Sequence, residues 1–551
     1  MARGTGAGAV CGALESLGVT HVFAYPGTEI AELLDGLRTS RLETVVPTSE
    51  LPAAFMALGY ARASGRVGVA AVIPGPGLAF ALPGLAEARY DSVPLLVLTG
   101  ASDPRAPFDV GDAVRPVVKA LLEPGAPGEL ATAVREGHAL AAAGEPGPVV
   151  VRLPPAALSA TAAPGGGALA EENPPAPDVG PVTARLRDAR LVTLFVGQGA
   201  AGAAAEAVEL AERLGAAVLT TTSGRGIVPE THPLALPSDL PGEGVAVLNR
   251  VLAGSDLVLA LGCRFHPNGT HGGRLELDPD RLVHVDAALP PAPVRPAGLA
   301  VEADVPAFLR ALLPEVEPRR SGWEPAELER FRREFAGARA AASRTEPTLP
   351  ETAGSSPAAF FAALRRALPP EGVLAVDSGL HQQLARRYFQ VLRPRTFLVP
   401  ADFQSMGFAL PAAIGAALAQ PERPAVALLG DGGMAISGLE LLTASRGAIP
   451  LTVIVFNDGR LNLIRLQQLV RFGREHGTTL APPGLEALAA ATGARYVRVA
   501  GDPFELLAES IGSGELRLLE VEVEDSLLFR GAAAMGTVRR AARRGARLFG
   551  R

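Results

Sequence analysis

Short apolar runs alternate with alanine-rich stretches along almost the whole chain, with glycine and proline standing between them. The runs 67–73, 95–99, 191–196, 217–222, 257–261, 282–285, 373–376, 425–429 and 451–456 are too short for helices. They are also too uniformly apolar for a sheet with one wet face. Strands buried on both faces read this way, and both faces are buried only where helices cover them. Strands separated by helices pair in parallel through right-handed crossovers. The fold class is therefore α/β, built from doubly wound parallel sheets.

At 551 residues the chain outgrows a single hydrophobic core. Two interruptions divide it. One is a loop rich in Gly, Pro and Glu over 160–181; the other is a charged, proline-punctuated stretch over 315–357 with a helix expected near 325–343. Three α/β domains are expected, at 1–158, 182–314 and 355–528. A tail follows at 529–551, and its last 22 residues hold seven arginines and no acid. An end of that composition reads as solvated or frayed chain, with an anionic surface or a partner as the alternative.

Composition removes several function classes. Apolar residues at 48% and charged residues at 20% describe a globular chain, not a disordered one. A net charge of −6 gives no general attraction to nucleic acid or to an anionic membrane. The sequence holds no apolar run of spanning length and no basic leader followed by an apolar stretch, so a cytoplasmic protein is expected. Cys11 and Cys263 cannot build a disulfide framework or a thiolate zinc site. Lys119 is the only lysine and follows Val118, which excludes a P-loop and leaves a Schiff-base enzyme just that one residue.

Gly197-Gln198-Gly199-Ala200-Ala201-Gly202 follows a strand and opens a helix, as a dinucleotide fingerprint does. The fingerprint also needs an acid at the end of the next strand, where Thr220, Thr221 and Thr222 stand. The missing acid counts against a NAD-dependent oxidoreductase. The glycines are better read as allowing close packing and a phosphate-friendly helix start.

The strongest signal lies in the third block. The run 425–429 ends in Gly430-Asp431-Gly432, and the next run ends in Asn457-Asp458-Gly459, with Asn457 26 positions after Asp431. That is about one strand–helix–strand unit, so both residues are expected at the carboxyl edge of one sheet, where ligands bind. A carboxylate, an amide oxygen and a nearby backbone carbonyl are hard ligands suited to Mg²⁺, which leaves positions open for phosphate and water. Gly432 and Gly433 let the backbone approach that phosphate.

This spacing resembles the signature of thiamine-diphosphate enzymes, in which the Asp and Asn hold the metal that anchors the cofactor's diphosphate. Further stretches resemble acetolactate synthases and their relatives: 405–415, 377–382, Tyr25-Pro26-Gly27, Glu50 followed by 59–62, Gly75-Pro76-Gly77, Asp91-Ser92-Val93-Pro94, and in the middle block Gly197-Gln198-Gly199, 220–229 and His232-Pro233. The resemblance runs to about residue 525. It implies pyrimidine-binding, central and diphosphate-binding domains in that order. It implies Asp431, Asn457 and Gly459 as metal ligands, and Glu50 as the acid that exchanges a proton with the cofactor's aminopyrimidine. Apolar neighbours 51–54 would desolvate Glu50.

Met406 would wedge the cofactor into its bent shape. Pro26, Gly27, Gly75, Pro76, Gly77, His381, Gln382, Gln404, Gly430, Gly432, Gly433 and Met434 would line the cofactor site.

The implied reaction is decarboxylation of a 2-oxo acid, pyruvate first, followed by carboligation to a second carbonyl. A non-ligating decarboxylase or a benzaldehyde-lyase-type enzyme is the alternative, and a catalytically silent cofactor-binding paralogue is the alternative of another class. The partners expected are a small 2-oxo acid and at least one further copy of the chain, as a homodimer or homotetramer. The sequence names no regulatory subunit. It departs from the family at Phe456, where a second Asn is usual, at 402–404, at 108–112 and across 458–468, which lacks a typical tryptophan. Those departures leave the acceptor, and FAD binding in the central domain, open.

Overall fold

The computed structural model describes residues 4–524 apart from 102–104, 106, 163–175, 238, 240, 241, 243, 267, 290–296, 320, 321, 344, 345, 347, 350–355, 482 and 483. It contains three all-parallel sheets. In the first block, β1 (His21–Ala24), β2 (Glu43–Val45), β3 (Gly68–Val72), β4 (Leu95–Gly100), β5 (Ala120–Leu122) and β6 (Pro148–Leu153) lie in the order β2-β1-β3-β4-β6-β5. The middle block holds β7 (Val192–Val196), β8 (Ala217–Thr220), β9 (Leu257–Leu261), β10 (Leu282–Asp286) and β11 (Leu299–Glu302), ordered β11-β10-β9-β7-β8. In the third, β12 (Val373–Val376), β13 (Phe397–Leu398), β14 (Ala425–Gly430), β15 (Leu451–Asn457), β16 (Arg495–Arg498) and β17 (Leu516–Glu522) run β13-β12-β14-β15-β17-β16. Counted within each block, the first and third sheets share one strand order.

The expected helix over 325–343 is Pro325–Ser343. The linker ends earlier than the composition implies, because helix Gly180–Asp188 opens the middle block; much of the rest of it, and the whole basic tail, lie outside the described residues. No helix among the described residues is long and apolar enough to cross a membrane.

The first and third blocks share one hydrophobic core, whereas the middle block builds its own. The shared core is made by two helices, Glu50–Ser64 and Ala409–Ala419, each following the second strand of its block. Extended Ser49 starts the first of them, and Gly65, at φ +75°, stops it in a left-handed turn that glycine adopts without strain. Both helices are almost wholly buried, and small residues let them touch backbone to backbone. A side chain at Gly59 would overlap the Ala412 backbone, and one at Gly415 the Met56 backbone. Those two contacts also fix direction: residue 59 meets 412 and residue 56 meets 415, so the helices pack antiparallel.

Candidate active site

Asp431 is the first residue of helix Asp431–Ser437, directly after β14. Because β14 and β15 pair in parallel with Gly430 opposite Phe456, Asp431 and Asn457 leave the sheet side by side at its carboxyl edge. The Asp431 carboxylate is buried. One oxygen accepts the Gly432 N–H at 2.8 Å; the other, Oδ2, is buried with no hydrogen-bond partner. Burial raises this carboxyl above its ordinary range, against the lowering effect of backbone N–H groups from Gly432, Arg460 and Gly459. Gly459, at φ +67°, turns the loop that brings those groups in. The Asn457 amide nitrogen donates to Glu520 Oε1 at 2.6 Å, and its oxygen takes no hydrogen bond among the described residues.

A cavity of about 110 Å³ opens beside Asp431 and is lined by His381, Met406, Gly430, Gly432 and Gly433, with an apolar wall that includes Phe456, Leu461 and Ile464. At this corner it is bounded by Asp458 and Arg460 rather than by Asn457 and Gly459 themselves. The His381 ring is packed so closely that a side chain at Gly379 or Gly430 would meet it, and its Nε2 is buried without a partner. Burial pulls this imidazole down to about 4, so it is neutral near pH 7.

Met406 reaches the same cavity from a tight loop in which Gln404 (φ +66°) and Gly407 (φ +78°) are both left-handed. Two buried carboxylates hold that loop. Asp377 accepts the Gly407 N–H at 2.9 Å and the Phe408 N–H at 3.4 Å, and Glu87 accepts the Ser405 N–H at 3.1 Å. Burial pushes the Asp377 carboxyl up to about 7 despite these donors.

Glu50 stands elsewhere. Its carboxylate lies beneath Gly77, where an added side chain would come within 2.8 Å of it, so the glycine is what admits the acid. The Ile73 side chain joins Gly77 to Gly27, while Pro26 and Pro76 are exposed and Gly75 (φ +63°) faces open space. Along the antiparallel helix pair, Glu50 sits at one end and Met406 beyond the other, on the order of 20 Å apart at 1.5 Å per residue. The helix Pro76–Tyr90 says the same, with Gly77 on Glu50 at its start and Glu87 on Ser405 near its end. Within one chain Glu50 thus stands well apart from the cavity beside Asp431.

Three expected cofactor residues stand back from the cavity. The Gln382 amide donates to the Pro400 carbonyl at 3.1 Å, the Gln404 amide donates to the carbonyls of Pro400 and Ala401, and Met434 is buried in the shared core. In the middle block the glycine pattern serves packing: side chains at Gly197 or Gly199 would overlap Gly262 at the end of β9. Lys119 donates to the carbonyls of Leu140 and Ala143, each at 2.6 Å, at the end of helix Leu130–Ala142.

Comparison with known proteins adds to this geometry. Residues 4–106, 179–312 and 377–521 match the N-terminal TPP binding, central and C-terminal TPP binding domains of thiamine pyrophosphate enzymes. The chain is 30% identical to an acetolactate synthase of Mycobacterium bovis, over 86% of this chain and 79% of that one. It is 29% identical to the acetolactate synthase isozyme 1 large subunit of Escherichia coli, over 85% and 84%. It is 31% identical to a probable 2-ketoarginine decarboxylase of Pseudomonas aeruginosa, over 82% of each. The chain belongs to the thiamine pyrophosphate enzymes.

The third-block site fits what such an enzyme must hold. A buried carboxylate oxygen without a partner, beside a free amide oxygen, suits a divalent cation. Gly432 and Gly433 at a helix N-terminus, facing a neutral histidine, suit a diphosphate. Sequence reasoning singled out neither Asp377 nor Glu87 as a site residue. Asp377 opens a quoted stretch, whereas nothing around Glu87 marks it.

Proposed function

We propose that this thiamine pyrophosphate enzyme decarboxylates a 2-oxo acid, pyruvate first among candidates, and joins the product to a second carbonyl as an acetolactate synthase does. The buried, partnerless Asp431 Oδ2 beside Asn457 carries the reading. Asp431, Asn457 and the Gly459 carbonyl would hold Mg²⁺, and through it the diphosphate. When bound, thiamine diphosphate supplies the nucleophilic carbon and the electron sink for loss of CO₂. The N–H groups of Gly432 and Gly433 would face the diphosphate, and neutral His381 would stand beside it without adding charge. Met406, on the loop that Asp377 and Glu87 hold, would press on the ring system from the cavity side. Glu50 would exchange a proton with the aminopyrimidine, and Gly77 leaves room for its carboxyl. The apolar wall of Phe456, Leu461 and Ile464 would lower the polarity around the bound cofactor.

A complete site takes the metal corner from one chain and Glu50 from another, so the working unit is at least a homodimer. Apolar side chains are uncovered beside each half: Phe80 on one, Ile436 and Leu439 on the other. A second copy would bury them.

A second reading, decarboxylation without ligation, is favoured by the similar identity to the 2-ketoarginine decarboxylase. FAD is a further proposal. Between the first and middle blocks lies a cavity of about 260 Å³, where Gln198 Oε1, Arg264 Nη1 and Asp286 Oδ2 have no hydrogen-bond partner among the described residues. Flavin absorbance of the purified protein tests it.

The reaction is tested by incubating protein, thiamine diphosphate, Mg²⁺ and pyruvate and reading products by NMR. Acetolactate supports carboligation. Acetaldehyde alone moves the enzyme to the second reading, and unconsumed pyruvate rejects pyruvate as the donor.

A further inference from the structure

We propose that the cleft between helix Pro325–Ser343 and the C-terminal end of helix Leu380–Tyr388 binds a compact dianion, either a phosphate group or a small dicarboxylate, at a site separate from the cofactor. The cleft has a volume of about 250 Å³ and is open to solvent on one side, far larger than a single water needs. Five guanidiniums line it: Arg225, Arg332, Arg339, Arg386 and Arg387. It lies at the far end of the helix that carries His381 in its first turn, roughly 9 Å along the axis from that residue.

The charges do not balance. Glu230 is used twice over, by Arg225 at 2.6 and 3.1 Å and by the Val391 N–H at 2.8 Å. Asp239 takes Arg386 in a fork and the Thr222 hydroxyl at 2.9 Å. Burial works to raise Asp239, but the guanidiniums of Arg386 and Arg225 override it and hold the carboxyl below its ordinary value. Glu346 accepts from Arg387 and from the Tyr388 hydroxyl. Those three carboxylates answer three of the five arginines.

The remaining two sit on one stripe of helix Pro325–Ser343. Arg332, Ala336 and Arg339 are spaced four and three residues apart, so they share a face, and the alanine between the arginines leaves the space open. Arg332 donates to the carbonyls of Pro233 and Ala235, and the one carboxylate near it, Glu329, is mostly exposed at 3.5 Å. Arg339 makes no ion pair among the described residues, and its Nε is buried without a hydrogen-bond partner. Burial, helped by the charges of Arg225 and Arg387, pulls its guanidinium below the ordinary value against the opposing pull of Tyr388 and Glu230. Arg339, without an ion pair among the described residues, and Arg332, paired only with the mostly exposed Glu329, face one cleft, and guanidinium forks bind oxyanions in pairs of parallel hydrogen bonds.

The test uses full-length protein saturated with thiamine diphosphate and Mg²⁺, so that added anion does not report on the diphosphate corner. Inorganic phosphate and, separately, malonate are titrated at ionic strength held constant with NaCl, and the melting temperature is followed. A saturable rise is expected with at least one of them. Arg339→Gln and Ala336→Glu, both at surface-accessible helix positions, should each raise the half-saturating concentration at least tenfold while leaving cofactor affinity unchanged. A rise with phosphate alone assigns a phosphate ligand, and with malonate alone a dicarboxylate; a rise with both supports the shared chemistry. No saturable rise with either anion, or a rise that survives both substitutions, overturns the proposal.

Discussion

Two inactive versions of this chain should restore activity to each other. Glu50→Gln keeps the shape of the acid but removes its exchangeable proton. Asp431→Asn removes the charge that the metal corner needs. Each variant alone should lose about 10²–10⁴ in turnover or more, the usual worth of a positioned acid–base group. Helices Glu50–Ser64 and Ala409–Ala419 hold Glu50 and Met406 on the order of 20 Å apart within a chain, and in the proposed homodimer each site would draw on two chains. In a two-fold dimer of one variant with the other, one site carries both substitutions and the second carries neither. Random assembly of equal amounts makes about half the dimers mixed, so about one quarter of wild-type sites return. Isolating mixed dimers with two affinity tags raises that to about one half. The assay is consumption of whichever 2-oxo acid the wild type turns over, pyruvate first, on co-expressed and tandem-purified protein. Mixed dimers no more active than the parents would show that acid and metal act within one chain, and the half-site argument would fall.

Asp431→Ala should abolish Mg²⁺-dependent binding of thiamine diphosphate in calorimetry; unchanged affinity would remove the metal assignment. Burial, reinforced by the charge of Asp91, raises the Glu87 carboxyl from 4.5 to about 8. The folded chain then keeps a proton that the unfolded chain releases, so wild-type stability should fall between about pH 5 and pH 8. Glu87→Gln should flatten that slope, and melting temperatures that stay parallel across the window would contradict it. Gly59→Val drives a side chain into the Ala412 backbone and should cost about 1–3 kcal/mol in chemical denaturation, with refutation by an unchanged midpoint.

What the sequence reveals and what it hides follow from one physical division. Central strands such as β9 and β14 are legible because both faces are buried and nearly every residue must be apolar. Edge strands carry no such mark: β11 alternates half-buried with exposed positions, and β16 begins and ends with arginine. The metal corner is legible because its chemistry is concentrated in two strand ends. Gln382 and Met434 do not line the cavity, since neighbouring positions on a helix point about 100° apart and a motif does not say which of them faces it. Glu87 is invisible for the opposite reason. Its partner Ser405 lies 318 positions away, and an isolated glutamate in a helix reads as a solvated one.

The shared strand order of the first and third sheets explains why the site is split. In each block the helix after the second strand enters the common core, and the loop after the third strand stands at a point where the strand order reverses. Glu50 begins the first of these helices and Met406 immediately precedes the other; Gly75 and Gly77 follow the third strand in one block, Asp431 and Gly432 in the other. The two halves are therefore equivalent places on two copies of one architecture, one furnished with an acid and the other with a metal corner. Packing the two core helices antiparallel relates the blocks by an approximate two-fold turn, which sends equivalent places to opposite ends. One chain cannot bring them together without breaking the Gly59–Ala412 and Gly415–Met56 contacts. In the proposed homodimer, a two-fold axis beside the approximate one would face each Glu50 with the other chain's Asp431 corner. A cofactor with a pyrimidine at one end and a diphosphate at the other would then span the junction.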